Sequence, residues 1–484
     1  MKFIKHLFLL TLFSLLILTS CKKDQLLTDA SAKLGFSTDS VLFDTVFTSI
    51  GSTTKIFKIY NRHNQKMDIS KVYLGTGNAS QFRINVDGVS GSSLKDIQIL
   101  ANDSLFVFVQ VTVNPTGINS PLLIKDSIIF ETNGNLQNIK LTAIGQDVYL
   151  HKPNHFPING LPPYSIISCS TPWTNDKPHL IFGYAVVDSD SLLIMNPGTR
   201  VYLNTGAVLW VFQGGTLNIK GAHGNEVTFQ GARLESAYKE IPGQWGKIWM
   251  MEGSKNNIID WAIIKNGSIG VQTDSLGIAG VPLLNITNTI IKNMSSAAIY
   301  AKGSHIRSSN CVFANCGQYV AALSNGGIYR FEQCTFANYW SQSNRTTPLL
   351  QLNNYYISGS TNNISVLDSA YFGNCILYGN ITDEIGLDSS TYGAGLFSYQ
   401  FENCILKTSL NTANDGLHFK NVIANIDPDF VNTTGNNYEL QSASPAKDKG
   451  FTHDPILHDL NNKSRPNPST SSTSIPDLGA YEFY

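Results

Sequence analysis

Chemistry in this chain has to come from its cysteines, its carboxylates or its aromatic rings. Cys21 stands apart near the start, and Cys169, Cys311, Cys316, Cys334, Cys375 and Cys404 follow. No two are spaced as CxxC, and His305 and His418 sit far from any common ligand spacing, so no metal centre is expected. Cys311, Cys334, Cys375 and Cys404 recur at one place in a repeated phrase. They are expected to be buried, reduced and packed as small apolar side chains, because parallel side-chain vectors disfavour the disulfide dihedral.

Breaking a glycosidic bond needs an acid and a base held together. Glu332 and Glu402 share the place before the repeated phrase, with two repeats between theirs. Asp383, Glu384 and Asp388 form the one dense acidic group, in a stretch that reads as a solvated loop. No catalytic residue and no cofactor is therefore assigned. Flat rings beside a guanidinium suit a sugar face, which makes Tyr339, Trp340 and Arg345 the candidate glycan contacts. Trp210, inside an apolar strand, and Trp261, at the place of the repeated cysteines, are expected in the core. Gln244-Trp245 after Pro242-Gly243 is a second candidate turn.

These residues sit in a chain of 484 with 34 Lys+Arg against 35 Asp+Glu and only 14% charged residues. That balance gives no field for a polyanion and argues against nucleic acid as a partner. The polar surface comes from Asn, Ser, Thr and Gly, the residues of many turns.

Lys2, Lys5 and His6 precede an apolar run from Leu7 to Leu18, too short for an ordinary spanning helix. Leu18-Thr19-Ser20-Cys21 follows, and here the chain resembles bacterial lipoproteins. The resemblance implies a signal peptide over residues 1–20, a lipid on Cys21 and a tether over 21–33, anchored to the outer membrane. Asp24 after Lys22-Lys23 is a thin version of the acidic stretch that sends some Bacteroidetes lipoproteins to the surface, so the periplasmic and exposed faces both stay open.

Alternating segments such as Val41-Leu42-Phe43 and Phe106-Val107-Phe108-Val109 predict a β-sandwich over 34–148. The phrases Phe43-Asp44-Thr45-Val46, Ile59-Tyr60-Asn61, Val111-Thr112-Val113-Asn114-Pro115 and Leu141-Thr142-Ala143-Ile144-Gly145 occur in the order of the ASH/MSP-like immunoglobulin domains, which the segment resembles. Such domains imply a spacer or a protein contact. Residues 149–176 are Pro-rich and read as a linker.

From 177 to 425 the pattern is a solenoid. Asp260-Trp261-Ala262-Ile263, Asn288-Thr289-Ile290-Ile291, Asn310-Cys311-Val312-Phe313, Gln333-Cys334-Thr335-Phe336, Asn354-Tyr355-Tyr356-Ile357, Asn374-Cys375-Ile376-Leu377 and Asn403-Cys404-Ile405-Leu406 begin 28, 22, 23, 21, 20 and 29 residues apart. That period suits one β-helix rung per repeat, with an amide ladder at a bend and the second and fourth residues pointing inward. The stretch resembles a right-handed parallel β-helix of the pectin-lyase-like type. Over 426–484, Asp427-Pro428-Asp429-Phe430, Ser444-Pro445-Ala446, Arg465-Pro466 and Pro476-Asp477-Leu478-Gly479-Ala480-Tyr481-Glu482 are similar to the end of choice-of-anchor Q proteins and read as a capping extension.

The expected chain is thus all-β, an immunoglobulin-like sandwich followed by a right-handed parallel β-helix. Its expected role is an envelope lipoprotein whose rigid surface binds glycan or a protein partner without catalysis. The alternatives are a polysaccharide lyase or hydrolase of the β-helix class and a structural envelope component.

Overall fold

A computed structural model describes residues 25–117, 121–158, 160–277, 280–391, 394–451, 456–468 and 475–484. The signal-like segment and Cys21 lie outside the described residues. The chain divides into two compact units, Met1–Val148 and Tyr149–Tyr484.

In the first unit, period-two alternation builds two five-stranded sheets face to face. One orders the strands Gly35–Phe36, Lys55–Tyr60, Ser104–Val111, Phe82–Val86 and Val89–Gly91; the other orders Ser40–Phe47, Asn135–Gln146, Leu122–Thr132, Met67–Leu74 and Ser93–Ile99. Val107, Val109 and Val111 point into the core, leaving Phe106 and Gln110 to solvent.

The second unit is a parallel β-helix with three strand faces. The third face, eleven strands among the described residues, runs from Tyr149–His151 to Ile423–Ala424, each strand parallel to the next. The other two faces share one sheet, because Ala297–Ser309 and Tyr319–Glu332 continue across the bend between them. All three line one core that runs from Ile167 to Phe419.

Residues 149–176, expected as a linker, carry the first rung. Tyr149–His151 pairs with His179–Ile181, and Tyr164–Ile166 pairs with Tyr184–Val187. The strands are only three residues long and the prolines fall between them, which hides the pattern from a reading based on runs. His151, Trp173 and His179 stack in this rung, with His151 Nε2 3.0 Å from His179 Nδ1 and the Trp173 and His179 ring centroids 3.7 Å apart.

Two sequence alignments are corrected. Ile263 pairs with Ile290, which puts Trp261, not Asp260, opposite Asn288. Trp261 takes the corner conformation, φ +49° against +50° for Asn288, and is half-buried rather than in the core. The phrase Asn354-Tyr355-Tyr356-Ile357 is not a rung. Tyr355–Ser358 pairs antiparallel with Thr361–Ile364 in an exposed hairpin, and Thr335–Asn338 passes directly to Ile376–Gly379.

At the corner, Asn288, Asn310, Gln333, Asn374 and Asn403 all have φ between +50° and +56°, a region where Asn costs less than other side chains. Asn310 Nδ2 donates to Asn288 Oδ1 at 2.7 Å, and Asn288 Nδ2 donates to Asp260 Oδ1 at 2.8 Å. The next residue closes the bend. Cys311, Cys334, Cys375 and Cys404 each donate their S–H to the carbonyl two residues back, at 3.1, 3.3, 3.2 and 3.4 Å, as Thr289 does through its hydroxyl at 2.7 Å. These four cysteines are free and buried, and burial pushes the Cys311 and Cys375 thiols well above the ordinary range.

The tail lies against the flank of the third face. Val312, Ala337, Ile376 and Ile405 point outward there, and Phe430, Tyr438, Leu440, Leu478 and Ala480 cover them. Asn374 takes a bond from Phe451 N–H and gives one to Phe451 O, while Asn403 Nδ2 donates to Lys449 O. Gly479 sits at φ +87°, and a Cβ there would lie 2.6 Å from Thr335 Oγ1, so only glycine docks. Arg465 Nε lies 3.1 Å from Glu482 Oε1, buried beside Asp459 and Asp477.

Burial lowers His151 from an ordinary 6.5 to about 4 and His179 to about 3. The unfolded chain then binds more protons as pH falls through about 6.5, so this contribution to stability is complete above that pH and is lost below it. The urea midpoint is therefore expected to fall between pH 7 and pH 5, and less so in His151→Phe/His179→Phe. Equal pH dependence of the two chains contradicts this reading.

Candidate functional site

The sequence candidates do not form a surface. Trp340 is 7% exposed and donates its Nε1–H to Ser343 Oγ at 2.9 Å. Tyr339 packs under the tail with ring centroids 6.3 Å from Phe430 and 6.4 Å from Tyr438, and burial raises its phenol pKa. Arg345 is buried in a bidentate pair with Glu384, Nη1 to Oε2 at 2.8 Å and Nη2 to Oε1 at 2.6 Å. Arg345 also donates to Thr347 O and Asn380 Oδ1, and Glu384 Oε2 accepts from Leu349 N–H at 2.9 Å. The exposure expected for Tyr339 and Trp340 fails: the tail covers Tyr339, Trp340 is buried, and Arg345 turns inward to a partner 39 residues away on the next rung.

The acidic group disperses as well. Asp383 caps Thr408 and Ser409, Glu384 pairs with Arg345, and Asp388 accepts from Tyr355 of the hairpin. Glu332 and Glu402 are separated by one rung, that of Gly373, rather than two; Arg330 pairs with the first and Lys420 with the second. Trp245 is in the solenoid core, its Nε1–H donating to Lys265 O at 2.9 Å.

A surface does form on the outer side of the first face, the series Tyr184–Val187, Val208–Val211, Lys247–Met250, Ile269–Asp274, the opening residues of Ala297–Ser309 and of Tyr319–Glu332, Leu350–Asn353 and Ile385–Asp388. The register stacks Trp210, Trp249, Gln272, Tyr300, Ala322, Gln351 and Gly386 one above another. Two residues along each strand, a second outward column continues through Asp274, Lys302, Ser324, Asn353 and Asp388. Trp210, expected in the core, faces outward here, 5% exposed under Tyr184, Phe212 and Trp249, with the two indoles 5.1 Å apart and nearly parallel.

Beyond Trp249 the column dips. Ala322 and Gly386 flank Gln351, so small residues alternate with large ones and leave two adjoining concavities of about 560 and 630 Å³ that share Tyr300, Ser324 and Asn353. A Cβ at Gly386 would meet Gln351 Oε1 at 2.4 Å. The hairpin forms one wall with Tyr355, Tyr356 and Ile357, and Gln318 and Tyr319 line the other concavity.

The charged groups along this groove bond to neutral neighbours. Trp249 Nε1 donates to Asp274 Oδ2 at 2.7 Å, Gln272 Nε2 to Asp274 Oδ1 at 3.1 Å, and Lys247 Nζ to Gln272 Oε1 at 2.6 Å. Lys302 Nζ lies 5.4 Å from the Tyr300 ring centroid, and Tyr355 donates to Asp388 at 3.0 Å. Asp274 and Asp388 are four rung steps apart, about 19 Å at one strand spacing of ~4.8 Å. Glycosidase carboxylates stand about 5–5.5 Å apart in retaining and about 6.5–9.5 Å in inverting enzymes. The groove residues come from several rungs, which the register brings side by side.

Among known proteins, the family described as right handed beta helix region matches residues 186–336. No curated protein sequence matches the chain. Among solved structures, the chain is similar at 9% identity and TM-score 0.30 to the catalytic unit of a GH87 α-1,3-glucanase from Streptomyces thermodiastaticus, over 76% of this chain and 78% of that one. The catalytic domain of a GH87 α-1,3-glucanase with nigerose matches at 13% identity and TM-score 0.22, over 77% and 87%. A family 123 glycoside hydrolase from Clostridium perfringens matches at 6% identity and TM-score 0.18, over 24% of this chain and only 30% of that one.

Arg345→Ala leaves Glu384 buried without its cation, and the expected loss is about 3–5 kcal/mol of stability. Chemical denaturation checks it, and a wild-type midpoint contradicts the assignment of this pair as structural.

Proposed function

We propose that the chain is an envelope lipoprotein that binds a neutral linear glycan along the groove on the first face without cleaving it. The observation that carries this reading is the groove itself, lined by tyrosine rings, amides and hydroxyls at rung spacing, with Asp274 and Asp388 held by neutral donors. Rings offer flat apolar faces to pyranoses, and Gln351, Asn353 and Ser324 offer donors and acceptors to hydroxyls. The wide separation of Asp274 and Asp388 supports binding over hydrolysis.

The anchor is the lipid on Cys21, which holds the protein at the outer membrane of a Bacteroidetes-type envelope. Its support is the signal-like run before Leu18-Thr19-Ser20-Cys21. Among the described residues no helix is long and apolar enough to cross a membrane. Cys21→Ala is accordingly expected to move the protein from the membrane fraction to the soluble one. Persistence in salt-washed membranes contradicts the anchor.

Affinity electrophoresis in gels containing neutral β- or α-glucans, mannan or xylan tests the groove. Retardation by at least one is expected, and Tyr300→Ala is expected to weaken it by about fivefold, ~1 kcal/mol, with Trp340→Ala and wild type alike wherever both fold. New reducing ends or unsaturated products in the same incubations overturn the non-catalytic reading and favour a hydrolase or lyase.

A further inference from the structure

The first unit carries a concavity of a different chemical character. It lies on the outer face of the sheet that contains Phe82–Val86 and Ser104–Val111, with a volume of about 880 Å³. Arg83 stands directly across from Gln110, and Asn85 directly across from Phe108, so the four side chains form a two-by-two array. Successive outward positions on a strand are about 6.8 Å apart, and Arg83 and Phe108 are diagonal members of the array.

Each member of the array is held in place by its neighbours. Arg83 Nη1 donates to Ser80 O at 2.6 Å and to Phe82 O at 2.7 Å, which fixes the guanidinium plane and leaves Nε and Nη2 with no other bond among the described residues. Gln110 Nε2 donates to Thr54 Oγ1 at 2.6 Å, leaving Oε1 open. Asn85 is satisfied locally, donating to Ser90 Oγ at 2.8 Å and accepting from Gly88 N–H at 3.0 Å. Ser92 Oγ donates to Asn78 Oδ1 at 2.6 Å, so the Asn78 amide also presents its donors from a fixed position. No carboxylate lines the concavity, and Arg83 is its single charge.

A half-buried ring, a fixed guanidinium with free N–H groups and a fringe of amides and hydroxyls fit one class of ligand. We infer that this concavity is a second, separate saccharide site, selective for a sugar that bears a carboxylate or sulfate. The ring of Phe108 takes the sugar face, and Arg83 takes the anion through its Nε–H and Nη2–H as a two-point acceptor. Gln110 Oε1 accepts from an adjacent hydroxyl. With neutral chains taken by the groove on the first face, the two sites divide ligands by charge.

Affinity electrophoresis of the purified full-length chain through gels containing polygalacturonate, hyaluronan or chondroitin sulfate tests the inference. Wild type is expected to be retarded by at least one of the three, and Arg83→Ala to weaken that retardation about tenfold, because a two-point charge-assisted contact is lost. Gln110→Leu, which leaves the bonds of Arg83 to Ser80 and Phe82 intact, is expected to weaken it about threefold. Lys125→Ala removes the same charge from an exposed position on the other sheet and Tyr300→Ala alters the neutral groove, and both are expected to run as wild type. No retardation in any of the three gels overturns the inference, as does equal loss in Arg83→Ala and Lys125→Ala, which is general attraction to a polyanion. Loss in Tyr300→Ala with none in Arg83→Ala assigns acidic glycan to the groove instead and overturns it too. Failure of neutral-glycan binding at the groove leaves this result unaffected, because the ligands and variants differ.

Discussion

Everything in the second unit depends on closing the corner before each third-face strand. A parallel stack leaves every rung with a bend whose backbone groups have no partner on their own strand. Here the bend residue adopts positive φ, the side-chain amides of Asn288, Asn310, Asn374 and Asn403 join the neighbouring rung or the tail, and the thiol or hydroxyl that follows satisfies the carbonyl two residues back. The same short phrase therefore does two jobs. It turns the chain, and it sets the register that brings equivalent residues to one strand spacing. Once register is fixed, the outward columns of the first face are fixed as well, and the groove follows from which of those places hold large or small side chains.

That constraint explains why the solenoid was readable from sequence. Asn-Cys-Val-Phe and Asn-Cys-Ile-Leu state the bend, the inward pair and the period in four residues. The same phrases also carry a second signal. Val312, Ile376 and Ile405 alternate with the inward residues and are just as apolar, so both sides of the third face must be covered. The cover is the tail, whose Gly479 and Ala480 lie on Thr335 while Arg465 and Glu482 sit buried behind them.

Other features were hidden for physical reasons. Asn354-Tyr355-Tyr356-Ile357 matches the phrase in composition, yet its strand folds into an exposed hairpin that leaves Ile357, at the fourth place, in solvent. The first rung escaped notice because three-residue strands between prolines give too few residues for a period. Tyr339, Trp340 and Arg345 are close in sequence, but Arg345 answers to Glu384 on the following rung, and that pairing turns the group inward. The groove draws Gln272, Tyr300, Ala322, Gln351 and Asp388 from five rungs, and no spacing rule on a single chain joins them.

The most direct test of the account is hydrogen exchange by mass spectrometry on the full-length chain, with and without a saturating neutral oligosaccharide, with the saccharide recovered and sized afterwards. The account predicts added protection in peptides covering 297–302, 318–324 and 349–353, with the oligosaccharide returned at its original length. Protection confined to other faces of the solenoid, or shortened oligosaccharide in the recovered pool, contradicts it.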